Sequence, residues 1–424
     1  MGRLPRTFYQ ESNLIMRLPS IYHNLPRGFR LFLKGFRQSA RILLNLEKRF
    51  VSINNYLRDF PNMGEFICDT NIPLFSAAPC YTLHDKSYVT NSIVLQGGCL
   101  RLSHASCFAS SDIIQFANGG LWYELRDFYH SVHKKSNCSD GIVLTHDEPK
   151  WYEIKSYRKV QYLENGFFLS GIFSGNYYHF LISILPRLQY IDSIPSDVPL
   201  LVDKCVERIS TFKQALAYCN NEHRPIIILD DNIRYVVTNL YLVTIQAAAQ
   251  PNYGIGQLLS YDDDLYSREA LKFVRDAALR HLHTNTNLPK RVFISRKNAS
   301  GLRKFNEREC IEALKPLGFE VIYPENLSFD DQVSLFNQAD CIVGGSGAAF
   351  TNILFSSNKV KYIILEGYRS GISIFSSIAS YVNANLLYIY DKALGDIPNG
   401  DYIHIDFCIN PQELCSMVKK ITST

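Results

Sequence analysis

Residues 340–355 read DCIVGGSGAAFTNILF, a short apolar run that enters a glycine turn and leaves it as a mostly apolar helical stretch. Strand, turn and helix in that order form a place to hold a phosphate. Gly344, Gly345 and Gly347 have no Cβ and can take positive φ, so a ligand can come close to the backbone. A helix opening near Ala348 would aim its unpaired amides and the positive end of its dipole at the same spot. A glycine turn is also ordinary punctuation between strand and helix, so the flanking sequence has to decide.

The flanks alternate. Strand-like runs at 291–295, 320–323, 340–343, 361–365 and 386–390 are separated by helix-like stretches at 307–317, 330–339, 348–355 and 372–382. That pattern predicts a doubly wound parallel sheet, whose ligands lie beyond the carboxyl ends of its strands. Those ends carry Ser295 and Arg296, Pro324 and Glu325, residues 344–347, and Glu366. Arg296, Lys297 and Arg303 set cations opposite the turn amides, so a diphosphate would be held from both sides. Glu366, and Glu325 at the neighbouring strand end, are the candidates for the nucleoside; Glu366 can accept hydrogen bonds from ribose hydroxyls. Plainer roles stay open: a surface charge for Arg303 and a capping carboxylate for Glu366.

Upstream, residues 171–188 read GIFSGNYYHFLISILPRL. A loop with Gly171 and Gly175 leads into an apolar helix for which Asn176 is a competent N-cap, and Pro186 should kink or end it. Tyr178 and His179 then occupy the first turn, where a side chain can project into a cleft or be satisfied in the core. Runs at 199–203 and 225–229 around a helix at 211–219 suggest a βαβ unit, and 234–243 adds a strand. The link-like stretch 246–256 separates a first α/β domain, 61–250, from a second, 251–424, which should open with a long polar helix at 261–283.

Residues 1–60 differ from the rest. Between 27 and 50, Phe29, Phe32, Leu33, Phe36, Leu43 and Leu44 recur at helical spacing beside a stripe of Arg30, Lys34, Arg37 and Arg41. Such a basic amphipathic helix fits an anionic membrane surface or a site on the protein body.

The chain has 424 residues, 46% hydrophobic and 20% charged, which argues for a soluble globular protein of two domains. A net charge of +4 demands no nucleic acid partner. The 11 cysteines are scattered singly, which fits reduced thiols and no zinc site. Without a long apolar run or a signal-peptide core, the expected location is the cytoplasm, with peripheral attachment to the inner face of the plasma membrane as the variant that residues 27–50 suggest. Two patterns imitate other chemistry. Gly345, Gly347 and Glu366 mimic a dinucleotide fingerprint, yet Phe350 stands at the third glycine position. Asp230-Asp231 and residues 262–264 could suggest a metal carboxylate pair, against a turn for the first and a helix N-terminus for the second.

Four motifs together resemble glycosyltransferase family 61: GNYYHFLISILPRL (175–188), RVFISRKNASGLRKFNE (291–307), YPENLSFDDQVSLFNQADCIVGGSGAAFTNILF (323–355) and YIILEGY (362–368). The resemblance implies a GT-B architecture of two Rossmann-like domains facing a cleft. It also implies inverting, metal-independent transfer from a nucleotide sugar, usually a UDP-sugar, to a glycan or glycolipid acceptor, with no cofactor. By the family pattern Arg296, Arg303 and the turn with Gly345, Ser346, Gly347 and Ala348 hold the donor diphosphate. Many members have a histidine where this chain has Ser346, which removes any role that needs an imidazole there. The lack of a membrane anchor points to the bacterial members linked to capsule or lipopolysaccharide synthesis. His179 is then the leading base, because an imidazole near its reference pKa suits proton removal at neutral pH, with Asn176 and Tyr178 orienting the acceptor. A carboxylate elsewhere could replace His179. A non-catalytic nucleotide-sugar or glycan binding protein, and an NAD enzyme, are the competing readings.

Overall fold

The computed structural model describes residues 50–423 apart from 84, 86–88, 125–127, 129–139, 141, 148–150, 222, 250–263, 300–302, 370–371 and 395–404. The basic helix expected at 27–50 lies outside the described residues except for Phe50. Phe50–Val143 and Lys155–Thr424 form one compact unit of mixed α/β structure. Strands Val143–Asp147 and Trp151–Ile154 pair with each other.

The C-terminal sheet has five parallel strands in the spatial order Glu320–Ile322, Arg291–Ile294, Cys341–Gly345, Lys361–Glu366 and Asn385–Tyr390. Its sequence reads as an apolar run because both faces are covered. Val292, Ile294, Ile342, Tyr362 and Ile364 face one core cluster, while Phe293, Cys341, Val343, Ile363 and Leu365 face another under helices Glu307–Leu314 and Pro411–Ser423. In chain order the strands run 2-1-3-4-5. The connections leave in opposite directions between Arg291–Ile294 and Cys341–Gly345, the point outside whose carboxyl ends sheets of this kind bind ligands.

The N-terminal sheet is larger than its sequence suggests. Its main path runs Ala247–Ala249, Asp264–Ser267, Gly64–Ala77, Val89–Phe108, Ile233–Val243, Lys159–Leu169, Leu200–Asp203 and Ile226–Leu229. Only the last four strands are parallel, and they include the expected βαβ unit around helix Ser210–Cys219. Gly64–Ala77 and Val89–Phe108 pair as a long antiparallel hairpin. The long helix expected at 261–283 is corrected as well: Asp264–Ser267 pairs with Gly64–Ala77 and is buried throughout, so the helix begins only at Arg268, capped by Ser267, and ends at Leu279. Pairing two buried strands outweighs the local helical pattern. This strand lies beyond residue 250, where the sequence suggested the first domain would end.

Between the sheets a single core takes in Phe180, Phe212, Val274, Phe336, Phe350 and Tyr362. Both motif helices, the one after Asn176 and the one after Gly347, sit in that core.

Candidate donor turn and neighbouring cavity

The glycine turn departs from its expected backbone. None of Gly344, Gly345 and Gly347 lies in the left-handed region; Gly347 is extended at φ −179°. Close approach is what excludes a side chain. A Cβ on Gly344 would stand 2.7 Å from the Ile294 carbonyl oxygen, and one on Gly345 would stand 2.9 Å from Arg296 Cδ and Phe305 Cε1. At Gly347 it would collide with Arg296 Nη1. The arginine therefore lies across the turn, and its Nη1 donates to the Ser346 carbonyl at 2.9 Å.

Glu307 holds that arginine in place. Its carboxylate accepts from Ser295 Oγ at 2.5 Å and from the Arg296 amide at 3.0 Å, which fixes the bend after strand Arg291–Ile294. The sequence reading overlooked Glu307, although it closes the second motif. On the other side, the Ser346 amide donates to the Leu365 carbonyl at 3.0 Å, next to Glu366, which is buried. A short 3-10 helix, Ala348–Phe355, follows in place of the expected α-helix. Its first internal bond runs from the Phe350 amide to the Gly347 carbonyl, so the amides before it open the helix without an internal partner.

The remaining donor-side candidates gather more loosely. Arg303 has left-handed backbone, φ 61°, a conformation that costs energy for a residue with a side chain. Two residues later Phe305 packs on Gly345 and stacks on Phe407 at 4.9 Å. Glu325 is exposed and accepts from Asn298 Nδ2 at 2.7 Å, tying its strand end to the loop after Arg296. Arg296, Ser346, Gly345 and Gly347 thus meet directly, with Ala348 next in chain; Glu366 adjoins them through Leu365, and Glu325 through Asn298.

At the carboxyl ends of Lys159–Leu169 and Ile233–Val243 lies an open cavity lined by Asp112, Trp122, Glu124, Phe173, His179 and Arg187 among others. The helix after Asn176 is one α-turn, Tyr177–His179, then a π-segment, Phe180–Ile184, then a 3-10 stretch from Leu185 that Pro186 initiates. Proline has no N–H to continue the wider ladder, so the geometry changes there. Asn176 caps the first turn by accepting from the Tyr178 amide at 2.9 Å. Tyr178 is buried, its hydroxyl 2.7 Å from that of Tyr266. His179 stacks on Phe173 at 4.9 Å, and its ring has no hydrogen-bond partner among the described residues. Burial drives its pKa down to about 4, so the expected imidazole near its reference value is corrected.

Two carboxylates that sequence reasoning did not find share this cavity. Asp112 accepts from the Ile172 amide at 3.1 Å and from Arg187 Nη2 at 3.4 Å, while Arg187 Nη1 donates to the Ser170 carbonyl at 2.8 Å. Glu124 accepts from the Ile245 amide at 3.0 Å. Gly171 was the available signal, because a Cβ there would stand 2.7 Å from Asp112 Oδ1. Of the carboxylates suspected of holding a metal, Asp262 and Asp263 lie outside the described residues, and the others have structural roles. Asp230 accepts from the Asn232 amide at 2.7 Å within a turn, Asp231 pairs with Lys204, and Asp264 belongs to a strand.

Residues 177–363 match the family model described as Glycosyltransferase 61. They form a family 61 glycosyltransferase domain. No curated protein matches the chain. Among solved structures it is similar to the dodecameric iron-containing heptosyltransferase TibC in complex with ADP-D-β-D-heptose, at 10% identity and a TM-score of 0.24, over 70% of this chain and 73% of that one. The family 61 match begins one residue after the Asn176 cap and ends within strand Lys361–Glu366, so it contains His179, Arg296, Arg303 and the whole donor turn. Asp112 and Glu124 lie outside the matched residues. In this family 61 domain the Ser346 hydroxyl is bonded to none of the described residues, whereas the Ser346 backbone holds both Arg296 and Leu365. Phe350, at the third position of the dinucleotide-like pattern, is fully buried against Phe336 and Phe375.

Proposed function

We propose that this glycosyltransferase moves a sugar from a nucleotide sugar, a UDP-sugar by the family resemblance, to a hydroxyl of a glycan or glycolipid, with inversion and without a metal ion. The observation that carries the proposal is Arg296 lying over a turn whose glycines leave it room, at the point where the parallel sheet changes direction. A guanidinium and backbone amides there can take up the charge of a departing diphosphate as the anomeric C–O bond breaks. Arg303 would add a second cation, with Ala348 opening the helix amides and Glu325 and Glu366 meeting the nucleoside. The attacking hydroxyl approaches from the opposite face and gives its proton to His179, which burial keeps neutral at physiological pH. Asp112 and Glu124 line the same cavity and are the carboxylates that would replace it. Asn176 and Tyr178 act by setting the turn that presents His179. In the GT-B arrangement that the resemblance implies, a domain of about 61–250 takes the acceptor and a domain of about 251–424 the donor.

The test is thermal stabilisation by a panel of nucleotides and nucleotide sugars, with and without EDTA, followed by the anomeric configuration of the product. Stabilisation by a nucleoside diphosphate that survives EDTA and fades in Arg303→Ala supports the reading. No response to any nucleotide, or one confined to NAD, overturns it. Use in a bacterial surface polysaccharide follows from the family resemblance and is decided by an acceptor panel. No described helix is long and apolar enough to cross a membrane. A cytoplasmic enzyme held to the inner face by residues 27–50 would bind anionic vesicles less after deletion of residues 1–50, and unchanged binding removes that part.

A further inference from the structure

The two motif helices are joined by polar atoms that neither the donor turn nor the cavity uses. Tyr177 Oη donates to Asn352 Oδ1 at 2.7 Å, Asn352 Nδ2 donates to Gln332 Oε1 at 2.9 Å, and Gln332 Nε2 donates to the Pro324 carbonyl at 3.0 Å. Asn352 is 0% exposed and Gln332 4% exposed, so water cannot stand in for a lost partner. Burial pushes the Tyr177 phenol well up and keeps it a donor.

The chain of bonds joins three places the reaction needs in register. It starts two residues before His179, crosses the helix that follows the donor turn, and ends at the Pro324–Asn326 turn that carries Glu325. Around it the core is apolar, with Tyr177 against Phe212 and Phe329 against Phe355. Apolar side chains alone would fill this space but would tolerate sliding by a fraction of a turn. A fully satisfied buried network accepts one alignment.

We propose that Tyr177, Asn352 and Gln332 are positioning residues that lock the helix bearing His179 to the helix of the donor turn, so that base and leaving group face the same anomeric carbon. The inference rests on the donor and base assignments made above. It predicts a specific kinetic signature, since each half of the site keeps its own shape and only their alignment is lost.

The experiment follows nucleoside diphosphate release by wild type, Tyr177→Phe, Asn352→Leu and the double variant, with Arg296→Ala alongside. The expected result is a fall of about tenfold in kcat for either single variant, donor KM within about twofold of wild type, and a double variant no worse than the singles. Singles that lower only Tm, with kcat intact well below it, would make the network a brace and overturn the proposal. So would additive losses, which mean that the residues act separately. Arg296→Ala with unchanged donor KM would sink the donor assignment instead, and leaves the Tyr177 kcat readout standing on its own.

Discussion

The carboxyl ends of the two sheets solve different problems with different materials. At the C-terminal sheet the site is mostly backbone: three glycines, the Ser346 amide and carbonyl, and one arginine held by Glu307. At the N-terminal sheet it is side chains: Asp112 and Glu124 from one stretch of the chain and His179 and Arg187 from the helical stretch after Asn176, gathered around a cavity. A backbone site fits one invariant group such as a diphosphate, because nothing in it varies except the glycine spacing. A side-chain site can be changed residue by residue, and under the proposed function that is where acceptor choice would be set.

The largest effect should come from removing the cation of the backbone site. Arg296→Ala is expected to lower kcat/KM by about 100-fold and to abolish stabilisation by nucleoside diphosphate, measured by steady-state kinetics and thermal shift. The glycines then split into two kinds. Gly347→Ala meets only the mobile end of Arg296, so donor KM should rise by about tenfold while Tm hardly moves. Gly344→Ala meets the Ile294 main chain, which cannot give way, and should cost about 2 kcal/mol of stability by urea denaturation. Equal behaviour of the two variants would break the claim that Arg296, not backbone packing, dictates the third glycine.

The same contrast explains what could be read from sequence. The glycine turn was legible because its parts lie at strand ends in a regular alternation, so Arg296, the glycines and Glu366 fall at predictable places. Glycine conformation was misjudged, since sequence cannot separate a need for positive φ from a need for space; only the packing of Arg296 shows the second. The cavity was half legible: Asn176 and His179 follow from a local cap. Asp112 and Glu124 reach it through pairings with Ile172 and Ile245, which are 60 and 121 residues away in the chain. The strand Asp264–Ser267 was missed for the same reason, its partner Gly64–Ala77 lying far upstream.

The side-chain site should also differ in its response to pH. His179 is held at about 4 when folded against about 6.5 unfolded, so the unfolded chain takes up the proton first and stability is lost as pH falls through that window, by on the order of 3 kcal/mol. Asp140, whose carboxylate accepts the Asp112 amide at 2.8 Å, is buried beside Asp112 and raised to about 6. Here the folded protein binds the proton first, and stability present below the unfolded value of about 3.8 is lost as pH rises through 6. Asp203, raised by burial, acts with the same sign as Asp140. Between about pH 4 and 6 these contributions oppose one another. Urea midpoints across that range should fall with decreasing pH in Asp140→Asn and rise in His179→Phe. Parallel profiles for the two variants would mean that neither group titrates as its burial requires.

The smallest effect tests the comparison at the seam itself. Tyr218 Oη donates to Asp330 Oδ1 at 2.6 Å, and Gln214 Nε2 donates to Asp330 Oδ2 at 2.7 Å, so this group links the same halves of the chain as the Tyr177 network. Unlike Asn352, Asp330 is only partly buried, and water can replace a missing hydroxyl. Tyr218→Phe should therefore cost about 1 kcal/mol or less and leave kcat unchanged. Its stack on His281 at 3.9 Å survives the change, which preserves the packing. A loss of turnover in Tyr218→Phe as large as that in Tyr177→Phe would show that any polar tie between the halves matters equally. If only the buried tie affects turnover, alignment depends on a bond that water cannot replace.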